Sequence, residues 1–159
     1  KKAVEEIYPT VSQALSRRAS FALMKSFIPP GDALLYLKLF CPDLTMINGL
    51  VVLDRVAKDK AMVQSLELLC SQFQQGSIAL DELQESLYNY NYLEIWEVFS
   101  HHEINYSEAE DNILAECVAE AWRAWLHFQF PSVTFQVRVE RIEESAHPGV
   151  VSFSQYLEG

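Results

Sequence analysis

The residues best equipped for chemistry in this chain are His101, His102 and Glu103, two imidazoles and a carboxylate of the kind that ligate a divalent metal. Adjacent side chains diverge around a helix and alternate across a strand. Both histidines would therefore meet one ion only from an irregular loop, with further ligands arriving from elsewhere. Cys70, Cys117 and Glu108 are the groups available to complete such a set, and their spacing shows no ligand pattern. A polar loop ahead of a helix start explains His101 and His102 more simply. Cys117 and His127, as a nucleophile and base, lie ten positions apart on one predicted helix, at different sides and ends, with Cys117 on an apolar stripe. Glu143 and Glu144 border a predicted turn, where solvent removes the reason for a catalytic carboxyl. Arg17-Arg18-Ala19-Ser20 has the spacing that basophilic kinases favour, with Ser20 as acceptor, and a solvated helix face bearing two arginines accounts for it as well. The five glycines stand far apart, so neither a phosphate-cradling loop nor a dinucleotide fingerprint is present. H-E-x-x-H, C-x-x-C and G-x-S-x-G are also absent, which points to a non-enzymatic chain that needs no cofactor.

The clearest positioning element lies between Ser107 and Tyr156. Ser107 precedes Glu110 by three residues, the capping-box spacing, and Glu108 and Asp111 add favourable charge to the first turn. At 100° per residue, Leu114, Cys117, Val118, Ala121, Trp125 and Phe128 form an apolar face opposite Glu116, Glu120, Arg123 and His127. Trp122 and Trp125 are expected to pack in the core. After Pro131 the period changes to two, with Val133, Phe135, Val137 and Val139 alternating with polar residues, and Val150 to Tyr156 reads as an antiparallel partner.

Taken in order, the chain predicts a helix from about Thr10 to Ile28, a stop at Pro29-Pro30-Gly31, and a short helix from Asp32 to Phe40. Asn48-Gly49 between Thr45–Ile47 and Leu50–Leu53 is the strongest hairpin signal present. Asp54 can cap a helix over roughly Val56 to Gln75 that stops at Gly76. Another helix carries Leu80, Leu83 and Leu87 to a break near Asn89–Asn91, followed by a short helix bearing Leu93, Ile95, Trp96 and Phe99. Without repeats or Gly/Ser-rich linkers, the expectation is one α+β domain over residues 1–159. Five or six helices would pack on a small antiparallel sheet of about four strands, built from hairpins at about residues 45–53 and 132–156.

Half of the 159 residues are apolar, enough for a substantial core, and no run approaches membrane-spanning length. Three widely spaced cysteines, Cys41, Cys70 and Cys117, fit reduced thiols and a cytoplasmic protein. The charge is uneven. Residues 1–60 hold nine Lys/Arg and six Asp/Glu, whereas residues 61–159 hold three and sixteen, within a net charge of −10. Such a field repels nucleic-acid phosphates and anionic membranes and favours a basic protein partner.

Between Tyr88 and Phe99 the aromatic density is highest, and tyrosine and tryptophan are enriched at interface hot spots. Tyr88, Tyr90, Tyr92 and Trp96, with Glu94 and Glu97 beside them, are the partner-binding candidates. In size and charge the chain resembles small acidic α+β proteins that bind another protein, including the immunity proteins that neutralise basic bacterial toxins. That resemblance implies an inhibitory role and carries no site residues. Two other readings stand beside it: a small-molecule-binding or hydrolytic domain with a pocket between helices and sheet, and a homo-oligomer in which the basic first 60 residues meet the acidic remainder of a neighbour.

Overall fold

Asn48 and Gly49 both take positive φ, 50° and 83°, the conformation a two-residue type I′ turn requires. The strands on either side close directly onto that turn, with Ile47 opposite Leu50 and Leu44 opposite Leu53. In the computed structural model, which describes residues 30–99, 108–141 and 149–157, this hairpin is the first of two small antiparallel sheets. The described elements are α1 (Pro30–Phe40), β1 (Leu44–Ile47), β2 (Leu50–Leu53), α2 (Asp54–Lys58), α3 (Lys60–Gln74), α4 (Leu80–Tyr90), β3 (Tyr92–Glu94), α5 (Ile95–Phe99), α6 (Glu108–Gln129), β4 (Phe135–Arg141) and β5 (Gly149–Gln155). The chain falls into two compact units, Lys1–Lys38 and Leu39–Gly159. Of the first, residues 30–38, most of α1, are described; Leu39 and all later elements belong to the second.

The α+β class follows from this order, but the expected single sheet of about four strands is instead two sheets. The second sheet has the order β3-β5-β4, all antiparallel, with β5 in the centre and all seven of its residues buried. β3 is the strand that the sequence pattern hides. It spans three residues, directly between two helices, and Leu93 sits on it rather than on the short helix that begins at Ile95. Three residues are too few to display a period of two, and pairing with Val150–Ser152 on β5 is what makes them a strand.

The helix expected over Val56 to Gln75 is also divided. Asp59 takes an extended conformation and its carboxylate accepts from the N–H groups of Ala61 and Met62, so it caps α3 and ends α2. The C-terminus of α3 is as predicted. Gly76 has φ of 69°, its N–H donates to the Phe73 carbonyl, and the Ser77 N–H donates to that of Gln72, the paired hydrogen bonds of a Schellman motif. The predicted helix over Thr10 to Ile28, the Ser107 cap and the turn at His147-Pro148-Gly149 up to Pro148 lie outside the described residues.

α6 packs on β4 and β5 with a different face from the one its pattern suggested. The buried positions are Asp111, Ala115, Val118, Ala119, Trp122 and Leu126, whereas Trp125 is half-buried and Phe128 is 73% exposed. Apolar residues cover more than half of this helix's circumference, so periodicity alone does not select a face. Ala115 and Ala119 allow close approach to the sheet, and the Trp122 indole N–H donates to the Leu39 carbonyl at 2.8 Å while its ring meets Phe153 edge-on. The core joins these residues to Leu50–Leu53, Val56, Leu66, Leu87 and Ile95. Among the described residues no helix is long and apolar enough to cross a membrane.

Candidate functional site

Leu83 and Leu87 recur at a four-residue step on α4 and anchor that helix in the core, which fixes where its terminal tyrosines emerge. Tyr88 is only 4% exposed. Its hydroxyl donates to Gln136 Oε1 at 2.8 Å, and the Arg138 guanidinium lies 3.7 Å from the ring centroid while bonding Glu85 at 2.7 Å. Burial pushes the Tyr88 hydroxyl pKa above its ordinary value, against the pull of Arg138. Tyr90 is half-buried and donates to Ser65 Oγ at 2.7 Å. Tyr92, also half-buried, has its ring under Arg55 and its carbonyl bonded by that guanidinium.

The three tyrosines thus reach three different elements: β4, α3 and α2. Tyr92 and Glu94 share one face of β3, since they are two residues apart on a strand, and Glu94 stands opposite Val150. Glu97 is exposed on α5. Trp96 belongs to the same short helix, but its side chain, like His101, His102 and Glu103, lies outside the described residues.

Two side chains that sequence reasoning passed over organise this region. Asn91, fully buried, closes α4 by donating its N–H to the Leu87 carbonyl. Its amide oxygen accepts from the Leu53 N–H at 3.0 Å and its amide nitrogen donates to the Val51 carbonyl at 3.1 Å. Gln155 repeats the pattern one step along, accepting from the Val51 N–H and donating to the Gly49 carbonyl, each at 3.1 Å. Together the two amides satisfy the edge of β2 that faces away from β1, where another strand would otherwise pair. The only sequence signal for Asn91 was its turn preference, which concealed a buried bridging role.

Asp111 is the other buried polar group of note. Its Oδ2 accepts from the Gly149 N–H at 2.6 Å, tying α6 to the start of β5, and its Oδ1 has no partner among the described residues. Among those residues, no group of three or more His, Cys, Asp or Glu is placed to hold a metal ion. Cys41, Cys70 and Cys117 are free thiols, each half-buried, and burial raises the Cys70 pKa, which works against thiolate reactivity at neutral pH.

The exposed aromatic that the pattern misplaced is Phe128. It stacks on Trp125 with ring centroids 5.7 Å apart and planes at 23°, and the Trp125 N–H donates to the Pro42 carbonyl at 3.0 Å. No protein-family model, curated protein or solved structure matches this chain.

Proposed function

We propose that this chain is a non-catalytic protein-binding domain whose acidic surface engages a basic protein partner. The observation that carries the reading is how its charges are used. Of the three arginines after residue 60, Arg123 and Arg138 are each committed to a glutamate, Glu120 and Glu85, and the side chain of Arg141 lies outside the described residues. Glu67, Asp81, Glu82 and Glu116 are exposed and have no ion-pair partner among the described residues. The surplus of negative charge in this part of the chain is therefore displayed to solvent, where it steers a basic partner and repels nucleic acid and anionic lipid.

Tyr90, Tyr92 and Trp96, with Glu94 and Glu97, remain the proposed contact set around α4, β3 and α5; Tyr88, buried and bonded to Gln136 under Arg138, leaves it. The free cysteines fit a reducing compartment, the cytoplasm. The test is affinity capture of proteins from the native source on immobilised wild type. In parallel, a variant carrying Tyr90→Ala, Tyr92→Ala, Glu94→Lys and Glu97→Lys is captured against under the same washes. Loss of a basic protein from the variant lane supports the reading. Identical capture by both removes this contact set, and no specific capture by wild type removes the binding function.

A further inference from the structure

α6 carries more apolar surface than its core uses. Besides the buried stripe against β4 and β5, a second row of Ile113, Cys117, Ala121, Ala124 and Phe128 runs along it at steps of four, four, three and four residues. At 100° per residue these five lie within an arc of about 80°, the spacing of a helix–helix seam. Ile113, Cys117 and Ala121 are half-buried, and Ala124 and Phe128 are exposed. Small residues in the middle permit close approach of another backbone. The aromatic at the end is held in place, because Phe128 stacks on Trp125 and Trp125 is itself bonded to the Pro42 carbonyl. A pre-positioned ring loses little freedom on binding.

The border of this row decides what fits it. Glu116 and Glu120 run alongside, and Glu116 has no ion-pair partner among the described residues. The neighbouring cation, Arg123, is held by Glu120 at 2.6 Å and by the Val137 carbonyl at 3.2 Å, which draws it toward β4. The edge is thus acidic, and the chain's net charge of −10 disfavours a second copy as the occupant. We infer that the outer row of α6 seats a basic amphipathic helix of the partner protein, its aliphatic stripe on Ala121, Ala124 and Phe128 and a Lys or Arg residue against Glu116. This rests on the protein-binding reading above and gives the partner a form and a seat.

The test uses the full chain and a synthetic Leu/Lys amphipathic peptide of about 20 residues, long enough to span α6 as a helix. A scrambled peptide of the same composition serves as control, and both are titrated by fluorescence anisotropy at roughly physiological salt. The amphipathic peptide is expected to bind at least about tenfold more tightly than the scrambled one. Phe128→Ser and Ala124→Gln, both neutral changes at exposed positions, are each expected to weaken it about tenfold. Glu116→Gln should weaken it and flatten its salt dependence. Melting curves show whether each variant is folded. Equal affinity for the two peptides, or undiminished binding by folded Phe128→Ser and Ala124→Gln, overturns the inference. Capture of the same natural basic protein by wild type and Phe128→Ser would sink the α6 seat alone and leave the protein-binding reading standing.

Discussion

Asn91 reaches across the gap between two sheets to the backbone of Val51, its amide nitrogen donating to the Val51 carbonyl at 3.1 Å from a fully buried position. The same side chain accepts from the Leu53 N–H, and Gln155 treats Val51 and Gly49 in the same way. A primary amide offers a donor and an acceptor in the geometry of a peptide group, so two such side chains replace the strand that β2 lacks on that edge. The two sheets are joined through side chains, without a continuous backbone ladder.

Replacing Asn91 by Leu, which has the same branched shape and no polar atoms, leaves the Val51 carbonyl and the Leu53 N–H buried without partners. An unsatisfied buried backbone group costs about 1–3 kcal/mol. Asn91→Leu is therefore expected to lower unfolding free energy by about 3 kcal/mol or more in urea titrations, with Gln155→Met losing somewhat less because its site is nearer the surface. A loss below about 0.5 kcal/mol for Asn91→Leu would mean that these amides are incidental to the junction.

Gly149 and Asp111 should behave as a coupled pair. A Cβ at position 149 would stand 2.5 Å from Asp111 Oδ2 and 3.3 Å from the Ala115 Cβ, and the carboxylate also accepts the Gly149 N–H. Overpacking of this kind costs about 1–3 kcal/mol. Gly149→Ala is expected to destabilise by about that amount in the wild-type background and by less than half as much once Asp111 is Ala. Equal losses in the two backgrounds would show that the close approach of Asp111 is not the reason for glycine.

Much of this architecture was legible and some of it was not, for reasons that differ by residue. Asn48-Gly49 announced its hairpin because positive φ at two successive positions has a strong residue preference. Gly76 announced the end of α3 for the same reason. β3 was hidden by its length, and the division of α2 from α3 by Asp59, whose capping role depends on its backbone conformation. The face of α6 was misread because apolar residues surround most of it, and only packing against β4 and β5 selects Ala115, Ala119 and Trp122 over Trp125 and Phe128. For the candidate site, residue type pointed to the tyrosines, but how each is tied into the fold depends on partners 25 to 48 positions distant: Ser65 for the half-buried Tyr90 and Gln136 for the buried Tyr88.

Tyr88 predicts how stability responds to alkali. Its hydroxyl pKa is raised in the folded chain, chiefly by burial. A raised folded pKa means that the unfolded tyrosine, ionising near pH ~10, gives up its proton first. The contribution is fully present below that pH and is lost as pH rises through the folded value. Wild type is expected to lose stability more steeply above pH ~10 than Tyr88→Phe, measured by urea titrations at successive pH values. Parallel curves would show that Tyr88 ionises alike in both states.

Under the proposed function, displayed negative charge brings a basic protein to this surface. Capture from native-source lysate on the immobilised chain, washed at low and then at roughly physiological salt, with retained proteins identified by mass spectrometry, puts this to the test. A basic protein is expected to survive the second wash and to associate more slowly as salt rises. Retention of no specific protein, or of a partner whose association is indifferent to salt, would contradict it.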